Sequence, residues 1–116
     1  MKVYGIPNCN TVKKARDWLE KQGLAYEFHD YKKQGVPEAI MKKLLKTHGH
    51  EALINRKGPT WRNLPDDLKT SVNDAASALA VMQTNSSCIK RPLIENNGGY
   101  LIGFDEAAYN TFFAKP

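Results

Sequence analysis

The first thirty residues switch between two hydrophobic periodicities, and that switch constrains the fold more than any other feature of the chain. Met1–Ile6 alternates polar and apolar residues as a short strand does and stops at Pro7. Val12, Ala15, Trp18, Leu19 and Gln22 then recur at helical spacing, with the capping-type residues Asn8, Asn10 and Thr11 in front and Gly23 behind. Leu24–His29 returns to alternation through Leu24, Tyr26 and Phe28. Two strands joined by a helix form a right-handed crossover, so the pair is expected to be parallel.

Beyond Gln34-Gly35 the pattern turns helical. Pro37 suits a first helical position ahead of Ile40, Met41, Leu44 and Leu45, with Gly49 as the stop. Residues 51–64 read as irregular, Pro65-Asp66-Asp67 opens a short helix, and Asp74 caps another over Ala75, Leu79 and Met82. Strand character returns in Ile89–Glu95, interrupted by Pro92. Asn96-Asn97-Gly98-Gly99 marks a hairpin turn, Tyr100–Phe104 is the returning strand, and Asp105 caps a last helix over Ala108, Tyr109, Phe112 and Phe113. The order βαβ, helical insert, ββα is that of an α/β chain with a thioredoxin-like mixed sheet. At 116 residues a single domain is expected, its core formed by 1–35 and 86–116 and its helical insert by 36–85.

Composition narrows the function classes. Apolar runs are far too short to span a bilayer, and residues 1–20 carry Lys13, Lys14, Arg16, Asp17 and Glu20 where a signal core would sit. A cytoplasmic location and no membrane partner are therefore expected. Residues 1–58 carry a net charge of +6 and the remainder −1. The basic residues come in scattered pairs without interleaved aromatics or a reading motif, so no nucleic-acid partner is expected. An anionic small molecule or an acidic thiol peptide such as glutathione suits the same charge. Nothing in the sequence speaks to oligomerisation, and a monomer is the default.

Two cysteines, Cys9 and Cys88, lie too far apart for a disulfide framework. Cys9 falls where the first strand meets the first helix, at the carboxyl edge of the sheet. There the free N–H groups of the first turn (Asn10, Thr11) and the helix dipole favour an anion, and Lys13 and Lys14 add positive charge. Such a setting lowers a thiol pKa. The alternative, an inert buried cysteine, fits poorly with the polar residues on both sides. Ala15 excludes a Cys-x5-Arg phosphatase loop and Val12 excludes Cys-x-x-Cys, so Cys9 works alone and is resolved by a thiol from elsewhere. Cys88, in what reads as a strand start at Ser86–Ile89, has the role of a small buried hydrophobe.

Arg91-Pro92 opens the third strand, where a thioredoxin-type sheet commonly places a cis proline against the nucleophile. Arg91 would then aim an anion-binding fork at Cys9; an edge proline and a surface arginine are the alternative. Arg56, beside Lys57, Trp61 and Arg62, reads equally as a second anion contact or as a solvated loop. His29, His48 and His50 lack zinc-ligand spacing, so no metal site is expected, and neither a phosphate-cradling loop nor Gly-x-Ser-x-Gly occurs.

The segments Tyr4–Ala15, Leu53–Arg56, Ile89–Ile94 and Ile102–Phe104 resemble the arsenate reductase (ArsC)/Spx family, in order and over essentially the whole chain. The likeness is greatest to its short YffB-like branch, to which glutathione-dependent thiol reduction is attributed. The resemblance implies a thioredoxin-like fold, Cys9 as thiolate nucleophile, and Arg56 and Arg91 as counterparts of two oxyanion-binding arginines. It also implies glutathione as co-substrate with no tightly bound cofactor, and glutaredoxin as an alternative partner. Glutaredoxin-coupled arsenate reductases carry a third arginine after the last hairpin. Here that stretch is Leu101-Ile102-Gly103-Phe104-Asp105, and Phe104 is expected to narrow the pocket. Spx regulators typically carry the Cys-x-x-Cys that Val12 removes. Thiol reduction is thus the leading expectation, with arsenate reduction and a non-catalytic, Spx-like regulatory role as the alternatives.

Overall fold

The structure, a computed structural model, describes residues 1–114; the last two positions of the expected core, 115 and 116, lie outside the described residues. The chain divides into two compact units. The first is Met1–Tyr31 with the chain from Arg91 on, and the second is Lys32–Lys90.

The first unit is built on β1 (Lys2–Gly5), α1 (Asn10–Lys21) and β2 (Glu27–Asp30), followed later by β3 (Leu93–Asn96), β4 (Gly99–Ile102) and α8 (Glu106–Phe112). Sheet order is β2-β1-β3-β4. β1 and β2 are parallel with Val3 opposite Phe28, as the crossover requires, and β1–β3 and β3–β4 are antiparallel. The expected mixed sheet is present. β2 starts at Glu27 rather than Leu24, because Leu24 and Tyr26 pack as partly buried residues against the core instead of entering the ladder. The hairpin turns through Asn97 (φ 51°) and Gly98 (φ 79°), the left-handed pair that matches strand twist in a two-residue turn, and β4 ends at Ile102, short of Phe104.

One face of the sheet carries the helices. Val3 and Ile94 meet Ala15, Trp18 and Leu19 of α1 and Tyr109 of α8, all buried. Trp18 packs edge-on to Tyr109 at 5.4 Å, and Phe104 does the same from the other side at 4.9 Å. Gly5 lets α1 approach β1 closely: a Cβ there would lie 3.1 Å from Val12 Cγ2. That contact seats the first turn of α1 on the end of β1.

The second unit holds the rest of α2 (Tyr31–Gln34), then α3 (Glu38–His48), α4 (His50–Leu53), α5 (Pro59–Arg62), α6 (Asp66–Ser71) and α7 (Ala75–Thr84). Residues 51–64, expected to be irregular, contain much of two single-turn helices; Trp61, only 7% exposed, anchors the second. Pro37 is the N-cap of α3 rather than its first residue. Asp74 caps α7 in a capping box with Ser77. The expected strand start at Ser86–Ile89 is instead a 3-10 turn over Ser86–Cys88. Ile89 then bridges to Ile54, with Asn55 N–H donating to Cys88 O and Lys90 N–H to Leu53 O, both at 2.7 Å. The strand expected over Ile89–Glu95 is therefore split at Pro92, its halves belonging to different units. The compact unit that holds these helices spans Lys32–Lys90. Among the described residues no helix is long and apolar enough to cross a membrane.

Gly103 ties the two ends of the β3–β4 hairpin. Its N–H donates to Pro92 O at 2.8 Å and its carbonyl accepts from the Tyr109 hydroxyl at 2.6 Å. Its φ is 81°, and an added Cβ would meet nothing within 4 Å, so the requirement for glycine there is conformational. Gly103→Ala should lower stability to urea by about 1–2 kcal/mol, the cost of a left-handed residue with a Cβ. Gly103→Asn should lose less, since asparagine tolerates that region. Equal losses for the two variants would point to another cause.

Candidate active site

Cys9 is the N-cap of α1. Its backbone is extended (φ −120°, ψ 126°), and its carbonyl accepts the first helical bond from Lys13 N–H at 3.0 Å. The helix thus starts one residue later than Cys9, and the nucleophile itself occupies the position expected for Asn8, Asn10 or Thr11. A capping side chain faces the N–H groups two and three residues on, here Thr11 and Val12. No side-chain capping bond of ordinary geometry is formed. Both amides nonetheless favour negative charge on the sulfur.

Burial is the largest influence on the Cys9 thiol and opposes ionisation. Against it act the Val12 N–H, a hydrogen bond and the positive charge of Arg91, and the Thr11 N–H. The donors prevail, and the thiol pKa lies below its ordinary value. Asn10 and Lys13 are exposed on the first turn and do not figure among these influences. The helix rotation explains both corrections. With Cys9 at the N-cap, the amide that takes the place assigned to Asn10 is that of Val12, and the Lys13 side chain leaves toward solvent. Val12 was missed because its contribution is a main-chain N–H. The signal that locates it is positional, three residues after the cap.

Arg91 comes from the segment that leads into β3, next to β1 in the sheet. Pro92 is buried, and the Arg91-Pro92 peptide is cis. The Gly103 bond to Pro92 O fixes the backbone immediately after Arg91. The structure therefore brings together Cys9, Thr11 and Arg91 of the sequence-derived set, with Pro92 following Arg91 in the chain. Cys9 is partly exposed, which leaves its sulfur reachable, whereas Cys88 is 1% exposed. Phe104 departs from expectation. Its ring packs on Tyr109 within the helix-side core instead of narrowing the cysteine pocket.

Arg56 lies in the second unit. It is exposed, its Nη2 lies 2.9 Å from His50 Nδ1, and its guanidinium carbon stands 4.9 Å from the centre of the Trp61 ring. His50, which lacks zinc-ligand spacing, is thus its hydrogen-bond partner.

A partly exposed thiol whose ionisation is favoured by helix amides and a guanidinium has the surroundings of a reactive cysteine. Thiol alkylation followed against pH should titrate below the range of free cysteine. Arg91→Gln should move that titration upward, and Lys13→Gln should leave it in place; the reverse ranking would overturn the assignment. The same shift enters stability. A thiol more acidic folded than unfolded stabilises the fold above the unfolded pKa, and the contribution disappears as pH falls through the folded value.

Known proteins place this geometry in a group. The family model described as the ArsC family matches residues 4–112. A solved structure of the YFFB protein is 40% identical and superposes with a TM-score of 0.91, covering 97% of this chain and 98% of that one. A solution structure of an arsenate reductase (ArsC) related protein from Brucella melitensis is 46% identical with a TM-score of 0.74, covering 98% and 94%. The global transcriptional regulator Spx of Streptococcus agalactiae is 27% identical over 97% of this chain and 82% of its own. With Cys9 at the head of α1 and its Arg91-Pro92 turn ahead of β3, the chain belongs to the ArsC family.

Proposed function

We propose that the protein is a thiol-dependent reductase that uses Cys9 as its single nucleophile and glutathione as the resolving thiol. The observation that carries this reading is the acidic, partly exposed thiol of Cys9 beside Arg91. The Cys9 thiolate attacks the glutathionyl sulfur of a mixed disulfide. A Cys9–glutathione disulfide forms, and the other sulfur leaves as a thiolate that takes a proton from water. A second glutathione thiolate attacks this adduct, releasing oxidised glutathione and returning Cys9 as thiolate. The net reaction is an exchange in which the mixed disulfide and one incoming glutathione thiol give the free thiol and oxidised glutathione, so the incoming glutathione is the reductant. Val12 excludes a neighbouring resolving cysteine, which is why the second thiol comes from outside.

In this reading Arg91 takes an anionic group of the substrate, and the Thr11 and Val12 amides hold the thiolate. Arsenate reduction fits less well. The Leu101–Asp105 stretch offers no guanidinium, and each charge-assisted contact to an oxyanion contributes about 1.5–3 kcal/mol. A regulatory role has one specific support, the likeness to Spx.

Turnover with glutathione should be compared on arsenate and on the mixed disulfide of glutathione with 2-mercaptoethanol. The mixed disulfide should be reduced and Cys9→Ser should abolish turnover. Efficient arsenate reduction would replace the proposed substrate class. Absence of any Cys9-dependent turnover, together with partner capture that survives Cys9→Ser, would favour the regulatory reading.

A further inference from the structure

Tyr31 is 2% exposed, and among the described residues its hydroxyl has no hydrogen-bond partner. A buried hydroxyl left unpaired costs stability, and phenylalanine would fill the same space without that cost. The sheet fixes where this hydroxyl stands. β2 ends at Asp30, which pairs with Gly5 at the end of β1, and Tyr31 follows directly. On the other side of β1, Tyr4 pairs with Leu93, two residues after Arg91. Tyr31, Cys9 and Arg91 thus flank the ends of three neighbouring strands at one edge of the sheet, and all three belong to the first unit. The Tyr31 ring stacks on that of Tyr4, with centroids 6.4 Å apart and planes 19° apart, which places it over β1. It also packs edge-on to His29 at 6.1 Å. Burial, and then Tyr4, push the phenol above its ordinary range, while the positive charge of Arg91 acts the other way and so lies within electrostatic reach. The phenol stays neutral, and its oxygen can accept a hydrogen bond.

Arg91 gives the Cys9 sulfur a hydrogen bond and a positive charge, and both act most strongly on the thiolate. When that thiolate attacks a disulfide, the S–S bond of the disulfide breaks and a bond from Cys9 to one of its sulfurs forms. The negative charge leaves on the other sulfur, which takes a proton from water. The guanidinium then faces a neutral disulfide sulfur, a weak acceptor. We infer that Tyr31 is a positioning residue for Arg91, its hydroxyl oxygen accepting from the guanidinium once Cys9 is held in a disulfide. Arg91 is thereby kept in place between the two halves of the reaction, and the adduct is stabilised relative to the thiolate. This rests on Cys9 as the nucleophile and not on which thiol resolves it. A thiol that carries carboxylates offers Arg91 an acceptor of its own, so an uncharged thiol isolates the contribution of Tyr31.

The test equilibrates the full chain in mixtures of 2-hydroxyethyl disulfide and 2-mercaptoethanol and reads the fraction of adduct from the intact mass, with Cys9→Ser as the blank. Tyr31→Phe should require about five- to tenfold more disulfide, at fixed thiol, for half-modification. The shift should shrink in mixtures of oxidised and reduced glutathione, whose adduct supplies carboxylates. Reduced Tyr31→Phe should melt a few degrees higher, because it no longer buries an unpaired hydroxyl, and its Cys9 alkylation should titrate where the wild type does. In an Arg91→Gln background, Tyr31→Phe should change the adduct equilibrium no further. An equilibrium that Tyr31→Phe leaves unmoved overturns the inference, and so does a shift that persists in the Arg91→Gln background. A lowered melting temperature of reduced Tyr31→Phe also overturns it, since the hydroxyl would then serve the fold. An adduct with 2-mercaptoethanol but none with glutathione removes the glutathione reading and leaves the role of Tyr31 standing on the first equilibrium. A wild type that forms neither adduct removes Cys9 as nucleophile and this inference together.

Discussion

The close contact between β1 and the first turn of α1 underlies everything at the nucleophile. Gly5 has no side chain, Val12 settles against the strand, and the helix begins at Asn10. That start makes Cys9 the N-cap and leaves the Thr11 and Val12 amides facing its sulfur. A bulkier residue at position 5 would lift the helix end by a few tenths of an ångström, a distance over which hydrogen bonds to sulfur weaken. The reactivity of the thiol is thus a consequence of strand–helix packing as much as of charge.

The electrostatics at Cys9 are a contest rather than a simple enhancement. Burial opposes the thiolate and is the largest single influence, yet the same burial keeps water from screening Arg91 and the amides. The sulfur is exposed enough to meet a substrate and enclosed enough for its donors to matter. Arg91 is held to this task by the sheet itself. β3 runs beside β1, and the carbonyl of Pro92 is pinned by Gly103, whose own carbonyl is held by Tyr109. A core aromatic of α8 therefore supports, through Gly103 and Pro92, the backbone next to Arg91. In the second unit Arg56 stands against an imidazole and an indole.

Much of this was legible in the residues because the relevant forces are local. Hydrophobic period gave β1, α1, α3, α7 and α8, and the Asn97-Gly98 pair fixed the hairpin through backbone sterics alone. Single-turn helices were not legible: four residues are too few to show a period, and α4 and α5 exist because Leu53 and Trp61 have a core to enter. Ile89 has strand character and does pair, but with Ile54, a long-range choice that no local pattern encodes. The ring of Phe104 was placed by analogy with an absent arginine, whereas an aromatic residue goes where apolar area is buried, here against Tyr109.

By itself the sequence determined that the chain forms a crossover followed by a hairpin, and that a lone cysteine lies between the first strand and its helix. Those facts follow from periodicity and spacing, which act over a few residues. Only the tertiary structure decided that Cys9 is itself the cap, that the Val12 amide joins Thr11 and Arg91 in acting on its sulfur, and that His50 is the partner of Arg56. Each of these depends on where a helix begins or a loop folds back, to within one residue. Packing sets that final residue, because a shift of one position rotates every side chain of a helix by about 100°.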